Sequence, residues 1–334
     1  MSRPDRIAGS NTVPSPRWRR SAIAFALAPA SFVCLLGLAA PLLNRALPST
    51  ANTLAWLLDL AAHWQPLYAL GWLALCLLCA LRTWRWLLFA PLALLPLFTA
   101  SGPLPDAAGG TPALVVVAAN VHVGNRDPTP LVAWLRAQPA DVVVVSELTP
   151  AYASVLQQQL GDDYPYRSLF PKDSPFGIGI FSRRMFYKAR RGDSDPAQVL
   201  TVQVRAGKHT VRLIAAHPMP PLAPQWHGKR DALLRIVSAT TGTPVILAGD
   251  LNATPWSTAL IGAAHGGLLR TTSLAPTWPR WGRGAFGIPI DHVLASAHFR
   301  RGASSRGPDI GSDHYPVRVA LHWADDLEVL DHAD

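Results

Sequence analysis

Residues 21–100 carry only four charged side chains, Arg45, Asp59, Arg82 and Arg85, and nothing else in the 334-residue chain constrains its folding as strongly. Ser21 to Leu43 is a 23-residue run with no charge at all. As a helix it reaches ~34 Å at ~1.5 Å per residue, enough for a hydrocarbon core of about 30 Å. A signal peptide is the rival reading, but the run exceeds a typical signal core and further apolar runs follow it. Pro66–Leu81 and Trp84–Ala100 are the second and third candidate transmembrane helices. They are joined by Arg82-Thr83-Trp84-Arg85-Trp86, whose arginines and tryptophans suit a headgroup layer. Asn52 to Trp64 holds Asp59 and His63 and reads as an interfacial or partly inserted helix. Residues 1–20, polar and basic through Arg17-Trp18-Arg19-Arg20, read as a disordered tail. Basic flanks stay cytoplasmic, so three crossings place everything after Ala100 on the outer side. A fourth crossing at 52–64 would reverse that orientation.

Ser101–Pro112, with Gly102, Pro103, Pro105, Gly109 and Gly110, reads as a linker. Beyond it the composition becomes that of a globular enzyme, so residues 113–323 form the candidate catalytic domain, followed by an acidic tail at 324–334. The charged fraction of 15% is low because of the N-terminal third; soluble domains sit nearer a quarter. A net charge of +9 suits a phosphate-rich or anionic-membrane partner, and equally a membrane protein with basic flanks. The three cysteines, Cys34, Cys76 and Cys79, all lie in the apolar region. Cys76 and Cys79 read as packing residues, since they lack the polar context of a redox or zinc site. The later domain therefore has no disulfide and no thiolate zinc site.

Short β-branched runs at Leu114–Ala119, Asp141–Ser146 and Pro244–Gly249 read as buried strands. Gly177–Ser182, Ile290–Ala295 and Tyr315–His322 read as further strands, and Val199–Val204 with Thr210–Ala216 as an antiparallel pair. Helices are expected at Thr129–Ala137, Pro150–Leu160 and His227–Thr240. Strands outnumber helices and several pair locally, which argues for an α/β or α+β sandwich rather than a simple doubly wound sheet.

Polar residues stand at the ends of these runs. Asn120, Glu147, His217, Asp250 and Asn252 follow strands; Asp291-His292 opens one; Asp313-His314 precedes the last. Taken singly each has a bland reading, such as a helix cap, a turn or a loop histidine. Together they offer carboxylates, carboxamides and histidines without a thiol, which is the set phosphoester hydrolysis needs. A hard divalent cation takes oxygen ligands, with Glu147 as its main candidate. Asp250 and His314 are candidates to orient or deprotonate the attacking water.

Val117-Ala-Ala-Asn120, Ser146-Glu147, Gly249-Asp-Leu-Asn252, Ile290-Asp-His292 and Gly311-Ser-Asp-His314 resemble, in order, the motifs of the endonuclease/exonuclease/phosphatase superfamily. The resemblance covers about Ala113 to Trp323. It implies a four-layer sandwich, two packed mixed β-sheets flanked by helices, here preceded by the N-terminal transmembrane helices. It further implies Glu147 as metal ligand, Asn120 supporting the metal site, and Asp250 and Asn252 orienting water and phosphate. His314 is then the base or phosphate-stabilising group, Asp291 the acid orienting it, Asp313 the acid before it, and His217 the leaving-group or phosphate contact. His122 stands where some members have an acid, so one Mg²⁺ or Mn²⁺ is expected rather than two, and His292 is expected to be structural. With its apolar N-terminus the chain looks like the bacterial membrane-anchored members, which implies the bacterial inner membrane with the catalytic domain extracytoplasmic.

The motifs set reaction type, not substrate. A nuclease-like phosphodiesterase comes first, a phospholipid-directed phosphodiesterase or phosphatase second, and a catalytically silent binding module third. Nucleic acid and phospholipid headgroup both stay open as partners, and no protein partner is implied. Arg167, Lys172, Arg183, Arg184, Arg190 and Arg191 are candidate phosphate contacts or a solvated face. Trp278, Trp281 and Phe286, with Arg280 and Arg283, suit either base stacking or a membrane surface.

Overall fold

Twelve strands form two six-stranded mixed sheets in the computed structural model, which describes residues 17–47, 52–192 and 198–324. Most of the expected basic tail and all but the first residue of the acidic tail lie outside the described residues.

One sheet has the order β11-β12-β1-β2-β4-β3, from β1 (Leu114–Asn120), β2 (Val142–Ser146), β3 (Tyr166–Phe170), β4 (Ile178–Ser182), β11 (Phe299–Arg306) and β12 (Val317–Trp323). The other runs β5-β6-β7-β8-β10-β9, from β5 (Phe186–Arg191), β6 (Gln198–Ala206), β7 (His209–His217), β8 (Val245–Asp250), β9 (Leu268–Arg270) and β10 (Asp291–Ser296). Successive side chains of a strand face opposite sides, and here both sides are apolar. Val116, Ala118, Val142 and Val144 face the second sheet's Leu213, Ala215, Ile246 and Ala248. Val117, Ala119, Val143 and Val145 face outward against α5 (Thr129–Ala137) and α6 (Pro150–Leu160). The second sheet's Ile214, Val245 and Leu247 likewise pack under α7 (Pro224–Ser238) and α8 (Thr258–His265). The result is the expected sandwich of two packed sheets flanked by helices.

The N-terminal region comprises α1 (Arg17–Ala46), α2 (Asn52–Ala62), α3 (Gln65–Ala80), a 3-10 helix at Trp84–Leu94 and α4 (Leu95–Thr99). The first helix thus begins inside the expected tail, at Arg17. Leu27–Ala46 is long and apolar enough to cross a membrane, a test that a signal sequence also passes. The second and third candidate spans are shorter apolar helices, Gln65–Ala80 and Trp84–Thr99, and the last is 3-10 over most of its length. Gly37 packs against Tyr68 and Gly71 against Cys34, so α1 and α3 run antiparallel.

The expected interfacial helix is docked on the sandwich. Asp59 of α2 is fully buried. Its Oδ2 accepts from Arg230 Nη2 of α7 at 2.7 Å, and its Oδ1 accepts from the backbone N–H and hydroxyl of Thr258, at 2.7 and 3.0 Å. A carboxylate at the first residue of α8 also meets the positive end of that helix. The expected linker is stitched down as well: Ser101, Leu104 and Ala107 donate backbone hydrogen bonds to Pro255, Arg270 and Arg301.

Candidate active site

Parallel pairing of β1 with β2 sets Asn120 beside Ser146, and antiparallel pairing of β8 with β10 sets Asp250 beside Asp291. Val317 of β12 pairs with Ala118, which brings the preceding Asp313-His314 to the same end of the sandwich. Seven of the eight expected residues therefore converge at one end of the two sheets, and His217 closes the group from the end of β7.

Asp250 is the hub. Its Oδ2 accepts from Asn120 Nδ2 at 3.0 Å and lies 3.5 Å from His217 Nε2 and 3.8 Å from His314 Nε2. Its Oδ1 accepts from the Asn252 N–H at 2.9 Å. Asn120 also donates to Glu147 Oε1 at 2.9 Å, while the Val123 N–H holds Oε2 at 2.8 Å. The His122 N–H donates to Asn120 Oδ1, so Asn120 links Glu147, Asp250 and the His122 backbone. His122 turns its Nδ1 back towards the Gly124 N–H. Asp291 Oδ2 lies 2.8 Å from His314 Nδ1. Asn252 Nδ2 donates to the Pro218 carbonyl. Asp313 accepts from Trp278 Nε1 at 3.0 Å, placing the indole next to His314 with ring centroids 6.3 Å apart.

The backbone is bent to deliver these groups. Glu147 and Asn252 sit at φ 59° and 46°, in the left-handed region, which Asn tolerates better than other non-glycine residues. Gly249 has φ 142°, and a Cβ there would lie 2.1 Å from the Ala216 carbonyl oxygen, so only glycine lets β8 approach β7 closely before Asp250.

Burial pushes the Asp250 carboxyl up, but the His314 charge and the His217 hydrogen bond outweigh it and hold the group well below the usual range. Burial and repulsion from Asp250 raise Asp291, with His314 opposing. Burial lowers His314, yet Asp291 and Asp250 push it up to about 10. His217 also ends above its ordinary value, since its hydrogen bond and charge pairing with Asp250 overcome burial. The His217 and His314 shifts both draw on Asp250, the buried carboxylate that both rings face. His292 differs: burial drives it down to about 4, and its ring joins Thr272 to the Ala253 and Pro289 carbonyls. That is the structural role expected for it.

These groups floor a cleft of about 550 Å³ whose lining includes Glu147, His217, Asp250, Asn252, Asp313 and His314. Among the described residues no Lys or Arg lines it. Of the candidate phosphate contacts, Arg190 and Arg191 line a separate groove with Lys188 and Arg212, and Arg184 pairs with Asp141 at 2.7 Å. Sequence reasoning missed Arg230, which is 1% exposed and donates from Nη1 to the Asn252 carbonyl at 2.9 Å. It also missed Leu60, His63 and Trp64, which line the cleft from the N-terminal region. The available signal was Asp59, a carboxylate in an apolar segment that needed a buried partner elsewhere.

Among solved structures, humanized D. rerio TDP2 is 20% identical with a TM-score of 0.53, over 63% of this chain and 98% of that one. An endonuclease/exonuclease/phosphatase from Beutenbergia cavernae is 24% identical with a TM-score of 0.53, over 63% and 72%. Sphingomyelinase C from Streptomyces griseocarneus is 19% identical with a TM-score of 0.50, over 62% and 98%. At these identities the likeness is one of fold. No curated protein matches the chain in sequence. The model of the endonuclease/exonuclease/phosphatase family matches residues 117–314, from the strand that ends in Asn120 to His314 itself. With more than half its length inside that match and the motif residues gathered in one cleft, this chain belongs to the endonuclease/exonuclease/phosphatase family, whose members hydrolyse phosphoesters.

Proposed function

We propose that the chain is a divalent-cation-dependent phosphodiesterase, nuclease-like in its chemistry and held at a membrane by its N-terminal helices. The observation that carries this reading is the linked cluster of Glu147, Asn120, Asp250, His217, His314 and Asp291, with the Asp250 carboxylate facing both histidine rings.

The donor set fits a hard cation. It offers carboxylates and no thiolate, and the cleft holds Glu147, Asp250 and Asp313 without a lysine or arginine to offset them. Ligating atoms of Asp250, Asp291 and His314 also lie within 4.8 Å of one another, but His314 and Asp291 are already spent on each other. Glu147, with both oxygens aimed by Asn120 and Val123, is the better holder for Mg²⁺ or Mn²⁺. The cation would polarise a phosphoryl oxygen and neutralise developing charge.

The chain's own residues supply the rest. Asp250, ionised, orients the attacking water. His314, pushed up to about 10, carries a proton at neutral pH and offers it to phosphate or leaving-group oxygens, with His217 a second hydrogen-bonding contact across Asp250. His314 is therefore a charge-stabilising donor rather than a base, and Asp291 keeps it protonated. Asn252 and Asp313 hold the surrounding loops in place, Asp313 through Trp278.

The packing also supports an outward-facing domain. Residues 27–35 of α1 lie by the Arg82 turn, whereas Asn44, Arg45 and α2 lie by α4 and the sandwich. The basic turn and the catalytic domain thus sit at opposite ends of the helices, as three crossings require.

The test is turnover of bis(4-nitrophenyl) phosphate by the full chain with Mg²⁺ or Mn²⁺. Chelation should abolish it, and Glu147→Gln and His314→Ala should each lower kcat/KM by about 10²–10⁴-fold. Unchanged turnover in those variants would reject the site, and no turnover of any phosphoester would leave the silent binding module.

A further inference from the structure

We propose that α2 and the Pro218–Leu222 loop build an apolar subsite beside the catalytic residues, which receives the hydrocarbon part of an amphiphilic phosphoester. The substrate is then a membrane lipid rather than a nucleic acid. This rests on the phosphoesterase reading above.

The wall of the cleft opposite in character to its floor is made by Leu60, Trp64, Met219 and Leu222, with Phe176 and Ile288. Leu60 and Trp64 come from the N-terminal region, outside the family match at 117–314, so their part of the wall is an addition to the family's sandwich. It is held at both ends. Trp56 Nε1 donates to the Pro221 carbonyl at 2.8 Å, tying α2 to the loop. The buried Asp59–Arg230 pair ties α2 to α7, and Arg230 continues to the Asn252 carbonyl. The same guanidinium thus positions both the apolar wall and a residue of the catalytic floor.

Charge points the same way. A nucleic acid presents a phosphate at every nucleotide and is held chiefly by Lys and Arg, yet none lines this cleft. The cationic groove of Lys188, Arg190, Arg191 and Arg212 shares no lining residue with it. A lipid brings one phosphoester at the headgroup and hydrocarbon beyond it, which matches a polar floor with one apolar wall.

The rim is apolar too. Leu222 is 75% exposed, and Leu54 and Leu57 are half-exposed on α2. Trp278 and Ile288 pair across the base of a loop that carries Trp281 and Phe286, both exposed, with ring centroids 6.0 Å apart. Exposed leucine and tryptophan beside arginine suit a headgroup boundary, and the apolar helix α1 is part of the same body.

The full chain in nanodiscs, with Mg²⁺ or Mn²⁺, is assayed on alkyl 4-nitrophenyl phosphates from methyl to octyl and on the 4-nitrophenyl ester of thymidine 5′-phosphate. Each methylene transferred from water to an apolar wall is worth roughly fourfold at most, so kcat/KM should rise by about thirtyfold or more along the series and exceed that of the thymidylate ester. Leu60→Ala and Leu222→Asp should each cut the octyl-to-methyl ratio by about fivefold or more. Leu222 is a surface side chain, so its replacement does not challenge folding. A flat series with turnover throughout overturns the subsite and leaves the phosphoesterase reading standing. A preference for the thymidylate ester overturns the substrate class. No turnover of any ester removes both readings together.

Discussion

Asp291 holds His314 in a state that burial alone would forbid. The imidazole keeps its proton because two carboxylates face it, and Asp291 is the nearer at 2.8 Å. In Asp291→Asn the His314 value should fall, so the alkaline limb of the kcat/KM profile should move to lower pH, with kcat down about 10²-fold or more. A pH–rate series on bis(4-nitrophenyl) phosphate measures both, and an unmoved limb would deny the dyad its role. His314 also links stability to pH. Its folded value, about 10, exceeds its ordinary 6.5. The stabilisation is therefore complete below about pH 6.5 and is lost as pH rises through about 10. In EDTA the thermal midpoint of the wild type should decline across that window more than that of His314→Gln. These residues were legible in the sequence because each closes or opens an apolar run within a short motif. Arg230 was not, since its partner Asp59 lies 171 positions away and a lone arginine on a helix reads as a solvated one.

At the scale of elements, the sequence betrays the interior of the sheets and hides their borders. The eight central strands were all legible as apolar runs. The four unrecognised strands, β3, β5, β9 and β11, are the four sheet edges. β5 reads Phe-Tyr-Lys-Ala-Arg-Arg, because an open edge with charge on it resists pairing with another chain, and β11 contains Arg300, Arg301 and Arg306. The same charges erase the hydrophobic alternation by which a strand is recognised. Helix α2 shows how much one carboxylate decides: its hydropathy suits a membrane interface, and Asp59 fixes it to the sandwich. Removing a single partner from a buried ion pair strands the other charge, so Arg230→Met or Asp59→Asn should each cost about 3–5 kcal/mol. The double replacement should cost less than the sum of the two, as measured by a double-mutant cycle in thermal or denaturant unfolding. Additive costs would mean that the pair does not hold α2.

For the molecule as a whole, the sandwich is not separable from the segment before it. Trp256 is buried against Ala40 and Ala62, with its Nε1 donating to the Pro96 carbonyl. A fragment starting at residue 110 would uncover that tryptophan and leave Arg230 without Asp59. It should therefore unfold at a lower temperature than the full chain. Equal midpoints would make the N-terminal region a mere anchor. The orientation has its own readout: a reporter fused after Asp334 should be active only outside the cytoplasm.

Residues 101–107 run along β9 of one sheet and β11 of the other, with Pro103 bridged to Arg270 and Asp106 to Arg301. A free tether would let the domain swing and sample the bulk solution. Stitched in this way, the cleft keeps a fixed position relative to α1. If α1 sits in a bilayer and the substrate is one of its lipids, as proposed, supply is two-dimensional, and velocity should follow the mole fraction of substrate in the bilayer and fall when inert lipid dilutes that surface, even at constant total concentration.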